Sequence, residues 1–521
     1  MPSREHSPDV QKTATSSTTQ AEPADVRSTG AAATPPSLRK GEGEDAVPED
    51  KAESVYERLE DDWQHDPRNP RNWSSSRKVI ATTIVSYYTF VSPLASSMMA
   101  PGLPAIASHY NITSSTIIAM TLSIFLLSFA IGPLILAPVS EMYGRTWVLH
   151  IGNLFFLCFN LGCAYAPTTG SLIGLRFLAG FAGSAPIAVG GGSVSDMFSE
   201  KDRAGAMAAY TLGPLIGPAI GPLIGGYVAQ NIGFPWVFKI IACLCGLGAA
   251  IGIPFLRETY APVIRMRLAA RSGNPEEAAK RHPHLQTQHG SKIHVLWLNL
   301  TRPFILLTRS YVCLLLSMYM GLNYGIYYLM FATFPDIFEI EYGFSTGAAG
   351  IAYLGLGLGF CLATAIGGKV GNTLYHNSAA KNGGKAKPEM RLPTLIAGAI
   401  IVPIGIFWYG WSAQAKVHFM MPIIGTGIFG FGLMMTFLPI QLYLVDSFVY
   451  AASALAAASV VRSLFGFIFP LFATQMFNAL GNGGGNSLLG GLAIVLGIPF
   501  SVFLYIYGER IRSKSDLTRQ S

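Results

Sequence analysis

Apolar residues arrive along this chain in long unbroken runs, not in the alternating or 3.6-residue patterns of a half-buried strand or helix. Twelve runs are long enough, as helices, to cross the roughly 30 Å hydrocarbon core of a bilayer. They lie near 79–99, 116–139, 146–166, 171–196, 205–229 and 235–256, then 311–334, 347–370, 393–412, 417–441, 450–475 and 487–508. Lipid leaves no partner for a free backbone N–H or C=O, so each run is expected to be helical. A polar segment, 257–310, divides them six and six. The expected fold is an all-α membrane protein of twelve transmembrane helices in two pseudo-symmetric six-helix bundles, 67–256 and 311–508, joined by a cytoplasmic central loop. Residues 1–66, rich in Ser, Thr, Ala, Pro and acidic side chains, are expected to form a disordered cytoplasmic tail, and 509–521 a short cytoplasmic C-terminal tail.

The fifth run has the strongest internal pattern, GAMAAYTLGPLIGPAIGPLIGGY from Gly205 to Tyr227. Small residues recur every fourth position at Gly205, Ala209, Gly213, Gly217, Gly221 and Gly225, with Pro214, Pro218 and Pro222 one step behind. An interior proline costs a helix in water about 3 kcal/mol. In lipid the alternatives to a helix are worse, and a four-residue ladder of small side chains becomes a groove for a close-packed neighbour. Four residues turn a helix about 40° past a full turn. The groove is therefore expected to wind, meeting a second-half helix near Gly221 and a first-half helix near Gly205.

Composition agrees with the pattern: of 521 residues, 50% are hydrophobic and 12% charged, against about 25% charged in a soluble domain. The net charge of +7 suits nucleic acid in bulk, but its placement points elsewhere. With the N-terminus inside, the inner side collects Arg68, Arg71, Arg77, Lys78, Arg145, Lys201 and Arg203, nine basic residues of the central segment, then Lys369, Lys381, Lys385, Lys387, Arg391, Arg510 and Arg512. The outer loops keep Lys416 alone. That split sets both termini in the cytoplasm and accounts for the basic excess without a nucleic-acid partner.

The six cysteines all sit in apolar runs and imply no disulfide framework. Neither Cys243-x-Cys245 nor the histidines at 282, 284, 289 and 294 have metal-ligand spacing, so no metal is expected. No phosphate-binding loop, hydrolytic triad or HExxH occurs, which leaves no support for a cofactor or an enzyme. Asn111-Ile-Thr113 falls in the first outer loop and is the glycosylation candidate.

Ionisable groups inside the runs are few, and such groups mark either a functional site or a tie between helices. Arg176 lies about six residues into the fourth run and Arg462 about twelve into the eleventh. On the seventh run Tyr324, Tyr327, Tyr328 and Phe331 share one helical face, next to Asn323. Core packing accounts for such a stripe, and so does the wall of a cavity for a flat, apolar or cationic ligand.

Several motifs, taken together and in order, resemble the major facilitator superfamily, and within it the fungal drug:proton antiporters with twelve spans. The resemblance covers about residues 66–512. APVSEMYGRT (137–146) is similar to the family's G-x-L-x-D-x-x-G-R-[KR] loop, with Ala137, Glu141 and Thr146 as departures. LIGLRFLAGFAG (172–183) is similar to the fourth-span motif whose arginine takes part in proton transfer, although Ala179 stands where the pattern has Gln. Gly217-x-x-x-Gly221-Pro222-x-x-Gly225-Gly226 matches the antiporter motif in full. DPRNPRNWSSSRK, ETYAP, EMRLP and YLVDSFVYAASALAAASVVRS point to the fungal subgroup.

The resemblance implies proton-driven export of a small organic molecule (a drug, toxin or secondary metabolite) by alternating access. It places proton coupling on Arg176. It also implies a cytoplasmic latch of Glu141, Gly144 and Arg145, with Asp196 and Asp446 as partners for Arg145. Asn323, Tyr324, Tyr327, Tyr328, Phe331 and Arg462 become candidates for the substrate cavity. The expected partners are the substrate, protons and the lipid bilayer, with the protein a functional monomer in the plasma or vacuolar membrane. Two rival readings stay open: an uptake permease on the same fold, for a polyamine or nutrient, and a non-transporting sensor working through the acidic tail.

Overall fold

The computed structural model describes residues 63–272, 292–385, 387–448, 450–513 and 517–518, and every regular element among them is helical. The expected tail thus lies almost wholly outside the described residues, as do His282, His284 and His289. In the first half the long helices are α1 (Ser75–Ser97), α2 (Ser115–Tyr143), α3 (Arg145–Ala164), α4 (Thr169–Gly183), α5 (Ala185–Met197), α6 (Glu200–Ile232) and α7 (Pro235–Phe255). The segment expected as a plain loop carries two helices of its own, α8 (Ala261–Ser272) and α9 (Lys292–Arg309). The second half contains α10 (Tyr311–Pro335), α11 (Thr346–Ala352), α12 (Leu354–Leu362), α13 (Gly368–Lys381), α14 (Leu392–Gln414), α15 (Met420–Ser447) and α16 (Ala451–Arg512).

Eleven helical stretches among the described residues are long and apolar enough to cross a membrane. The last of them, α16, has 62 residues and contains two of the expected runs. Its helical geometry breaks at Gly481, with φ 71° and ψ 170°, a region open in practice only to glycine. The chain folds back there. On α10, Tyr319 lies against Gly497, while Gly321, two residues on, faces Val461 and Phe465. Residues 461 and 497 would stand about 54 Å apart on a straight helix, so the two arms lie side by side.

Other expected runs are also interrupted. The fourth run is two helices meeting at Ser184, with Pro186 in the first turn of α5. The eighth run is α11, α12 and α13, with a π-helical turn at Ala363–Gly367 before α13. By contrast α6 continues through Pro214, Pro218 and Pro222 for 33 residues.

The glycine ladder of α6 departs from expectation in its partners. Gly213, Gly217 and Gly221 lie on α1, against the backbone of Ser86, Phe90 and Leu94 respectively, and Gly225 lies on the backbone of Met98, the residue that caps the end of α1. One first-half helix and its cap thus fill four rungs, because a crossing helix can follow the tilted row of i, i+4 positions. Gly205 meets nothing and is exposed. The second half touches the next face of α6: Pro222 and Gly226 lie on α11, and Ala219 on Gly357 of α12.

Candidate functional site

The two halves meet around a cavity of about 210 Å³. The first half contributes Pro93 and Ser96 of α1, Phe129 of α2 and Thr211, Pro214 and Pro218 of α6. The second contributes Tyr324, Tyr327 and Tyr328 of α10, Phe360 of α12, Phe437 and Gln441 of α15, and Arg462 of α16. The three tyrosine rings pack at 5.0 to 5.7 Å between centroids. The Tyr328 hydroxyl and Ser96 Oγ, 2.9 Å apart, form a hydrogen bond across the halves. The Arg462 guanidinium lies 4.9 Å from the Tyr324 ring centroid and 5.7 Å from that of Phe437.

A second cavity of about 520 Å³ shares Thr211, Leu215 and Met434 with the first. It runs past Ala209, Thr364, Gly371, Leu438 and Leu442 toward Arg391. The end of the molecule it approaches holds Arg145, Arg391 and Arg512 and is the basic end. The opposite, distal end is closed by contacts between halves. There the Gln230 side chain accepts from the Gly347 N–H at 2.7 Å. Thr116 donates to the Leu471 carbonyl at 3.1 Å and accepts from the Gln475 amide at 2.8 Å. Gly226 of α6 lies on the backbone of Thr346, and Gly350 of α11 on the backbone of Pro222. The arrangement is closed distally and hollow toward the basic end.

Arg176 is completely buried, yet it does not line the cavity. It lies behind α1, where Nη1 donates to the Ala95 carbonyl at 3.2 Å and Nε to the Thr121 carbonyl at 3.4 Å. Its guanidinium also lies 4.6 Å from the Phe125 ring centroid, and Nη2 has no partner. One planar side chain therefore ties α4 to α1 and α2, one residue from Ser96. Two cavity candidates move: Asn323 is buried and donates to Thr436 within the second half, and Phe331, also buried, packs against Tyr327 and Tyr353 outside the lining. A helix face read from spacing alone does not say which of its residues a neighbouring helix covers.

The latch splits in two. Arg145 pairs with Asp196 at 2.7 Å, and Asp446 pairs with Arg391 at 2.6 Å, so Asp446 is not a partner of Arg145. Each half closes its own pair at the basic end. Glu258 of the ETYAP motif accepts from the backbone N–H of Arg145, beside Gly144, whose φ of 108° makes the turn. Glu389 of EMRLP pairs with Arg512 at 3.1 Å. Both glutamates stood in motifs visible in the sequence, but spacing did not say what they bind. Glu141 is exposed; burial first, and then its charge, push the nearby Tyr260 hydroxyl above its ordinary pKa. Asn111 is exposed in the turn before α2 at the distal end. Among the described residues no group of three or more His, Cys, Asp or Glu side chains is placed to hold a metal ion.

The family model for the Major Facilitator Superfamily matches residues 85–470. Among curated proteins the chain is 45% identical to the MFS-type transporter penM of Penicillium rubens, over 87% of this chain and 89% of that one. It is 38% identical to the efflux pump radE of Floropilus chiversii, over 87% and 84%. Among solved structures it matches the partially occluded inward open conformation of the xylose transporter XylE from E. coli, with TM-score 0.61, 13% identity and coverage of 83% and 98%, a likeness of fold alone.

Proposed function

The chain belongs to the Major Facilitator Superfamily, a family of membrane transporters and not of enzymes, and from that premise we propose that it exports a small organic molecule in exchange for protons. The observation that carries the direction of transport is the complete Gly217-x-x-x-Gly221-Pro222-x-x-Gly225-Gly226 series on α6, whose outer end takes part in the distal closure. A relative named as an efflux pump supports the same direction. The basic end faces the cytoplasm, because Lys and Arg are retained on that side, and the plasma membrane is the proposed location. Substrate enters from the basic end and reaches the tyrosine-lined cavity. The halves then rock so that the basic end closes and the distal end opens.

For coupling, proton and substrate must favour different conformations, since equal affinity for both shifts nothing. Arg176 stays protonated throughout and acts as a fixed charge. It holds α1 against α4 one residue from the Ser96–Tyr328 contact that has to break. That position suits a coupling residue.

The test uses one host strain with and without the chain, loaded with a panel of fluorescent amphipathic dyes. An exporter lowers steady-state accumulation of at least one dye, and a protonophore restores it. Higher accumulation in the expressing strain would establish an uptake permease in place of this reading.

A further inference from the structure

The side chains lining the central cavity carry one charge. Tyr324, Tyr327 and Tyr328 contribute hydroxyls, Gln441 an amide, and Phe129, Phe360, Phe437, Leu433 and Met434 apolar surface. Arg462 alone is ionised, and no carboxylate is in the lining. Four other buried or half-buried arginines have acceptors: Arg145 has Asp196, Arg391 has Asp446, Arg512 has Glu389, and Arg176 has two backbone carbonyls; half-buried Arg203, away from the cavity, shares with Arg462 an Nε without an acceptor. Arg462 makes no hydrogen bond or ion pair with a described residue, and its Nε is shut off from solvent without an acceptor. Only the faces of Tyr324 and Phe437 accompany it.

A buried guanidinium N–H without an acceptor is costly, and a bidentate oxyanion is the partner the planar fork of arginine fits best. We propose that the cavity binds an amphipathic organic anion. Its acidic oxygens (a carboxylate, sulfonate or acidic enolate) sit on Arg462, and the Gln441 amide lies on the same wall as a second donor. A flat apolar body lies among Tyr324, Tyr328 and Phe129, and any longer tail runs into the 520 Å³ space beside Leu438 and Leu442. The aromatic stripe taken alone suits a cationic ligand as well. Arg462 on the same wall turns that preference round, because a second positive charge in a low-dielectric cavity is repelled. The assignment names a substrate class for the proposed exporter and rests on that reading only for what becomes of the molecule once bound.

Equilibrium dialysis of the full chain in lipid nanodiscs, with empty nanodiscs as the reference, tests this with three probes. These are 8-anilinonaphthalene-1-sulfonate, its uncharged relative N-phenyl-1-naphthylamine, and cationic rhodamine 6G. The unmodified protein should bind the sulfonate more tightly than either of the others. Arg462→Gln should weaken the sulfonate tenfold or more, the size of one charged hydrogen bond, and leave the neutral amine within twofold. Arg462→Lys should keep most of the sulfonate affinity. No saturable sulfonate binding, a preference for rhodamine 6G, or equal losses of both naphthylamines in a variant that still melts cooperatively would each overturn the assignment. If Arg462→Gln yields no folded protein, the ranking on the unmodified chain decides alone. Proteoliposomes separate the two claims: a chain that binds the sulfonate and moves no dye contradicts export while the anion site stands, and one that exports only cations does the reverse.

Discussion

Replacing Gly225 with leucine is expected to remove most of the folded protein from the membrane, whereas Gly226→Ala leaves it there and stops it cycling. The two glycines are neighbours in one motif with different partners. A Cβ on Gly225 runs into the carbonyl of Met98, which caps the end of α1 in the same half, and backbone cannot turn aside as a side chain can. Overpacking a well-filled contact costs about 1–3 kcal/mol, and a leucine forced against backbone belongs at or above the top of that range. A Cβ on Gly226 comes within 2.6 Å of the Thr346 carbonyl on α11, in the other half. In the proposed cycle that contact is made while the distal end is closed and lost when it opens. A destabilisation of about 1–3 kcal/mol there shifts the population between states by roughly 5- to 150-fold. Fluorescence-detected size exclusion checks the first variant. Dye export at matched surface expression checks the second. Equal surface expression of the two variants would mean that the glycine ladder does not separate packing from motion.

Arg176→Leu should cut export by more than a hundredfold, and Arg176→Lys should restore little of it. The guanidinium reaches two carbonyls on two helices and stacks on Phe125. Hydrogen bonds from a charged donor contribute about 1.5–3 kcal/mol each, and both are lost in leucine. Lysine keeps the charge as a point and cannot hold both carbonyls in one plane. Export rate per folded molecule is the measurement. A lysine variant that works like the parent would reduce Arg176 to a bulk positive charge and contradict a positioning role.

Much of the fold was legible because lipid leaves a chain so few options. Long apolar runs predict helices, and Lys and Arg placement predicts their direction. Run length did not reveal where helices break. Gly481 and the π turn at Ala363–Gly367 depend on backbone geometry that neighbours impose. The site was half legible. Arg462, Tyr324, Tyr327 and Tyr328 come together in the cavity as a group, while Asn323 and Phe331 share their helix but are covered by other helices. Ser96, Phe437 and Gln441 carried no sequence signal of their own, because a lining residue is defined by what faces it across a gap. The latch shows the same limit: charge type and rough depth gave the participants, and only the fold paired Asp446 with Arg391.

Alternating access itself can be measured without knowing the substrate. Spin labels at Ile232 and Ile340 report the distal gap between halves, and labels at Gly205 and Thr373 report the basic gap, once the exposed Cys158, Cys243 and Cys361 are replaced. Electron–electron distance distributions at neutral and acidic pH then give both gaps under both conditions. The account predicts two populations whose distal and basic distances change in opposite directions, with their ratio shifted by pH. Distances that stay fixed across that range, or that widen together, would contradict proton-coupled alternating access.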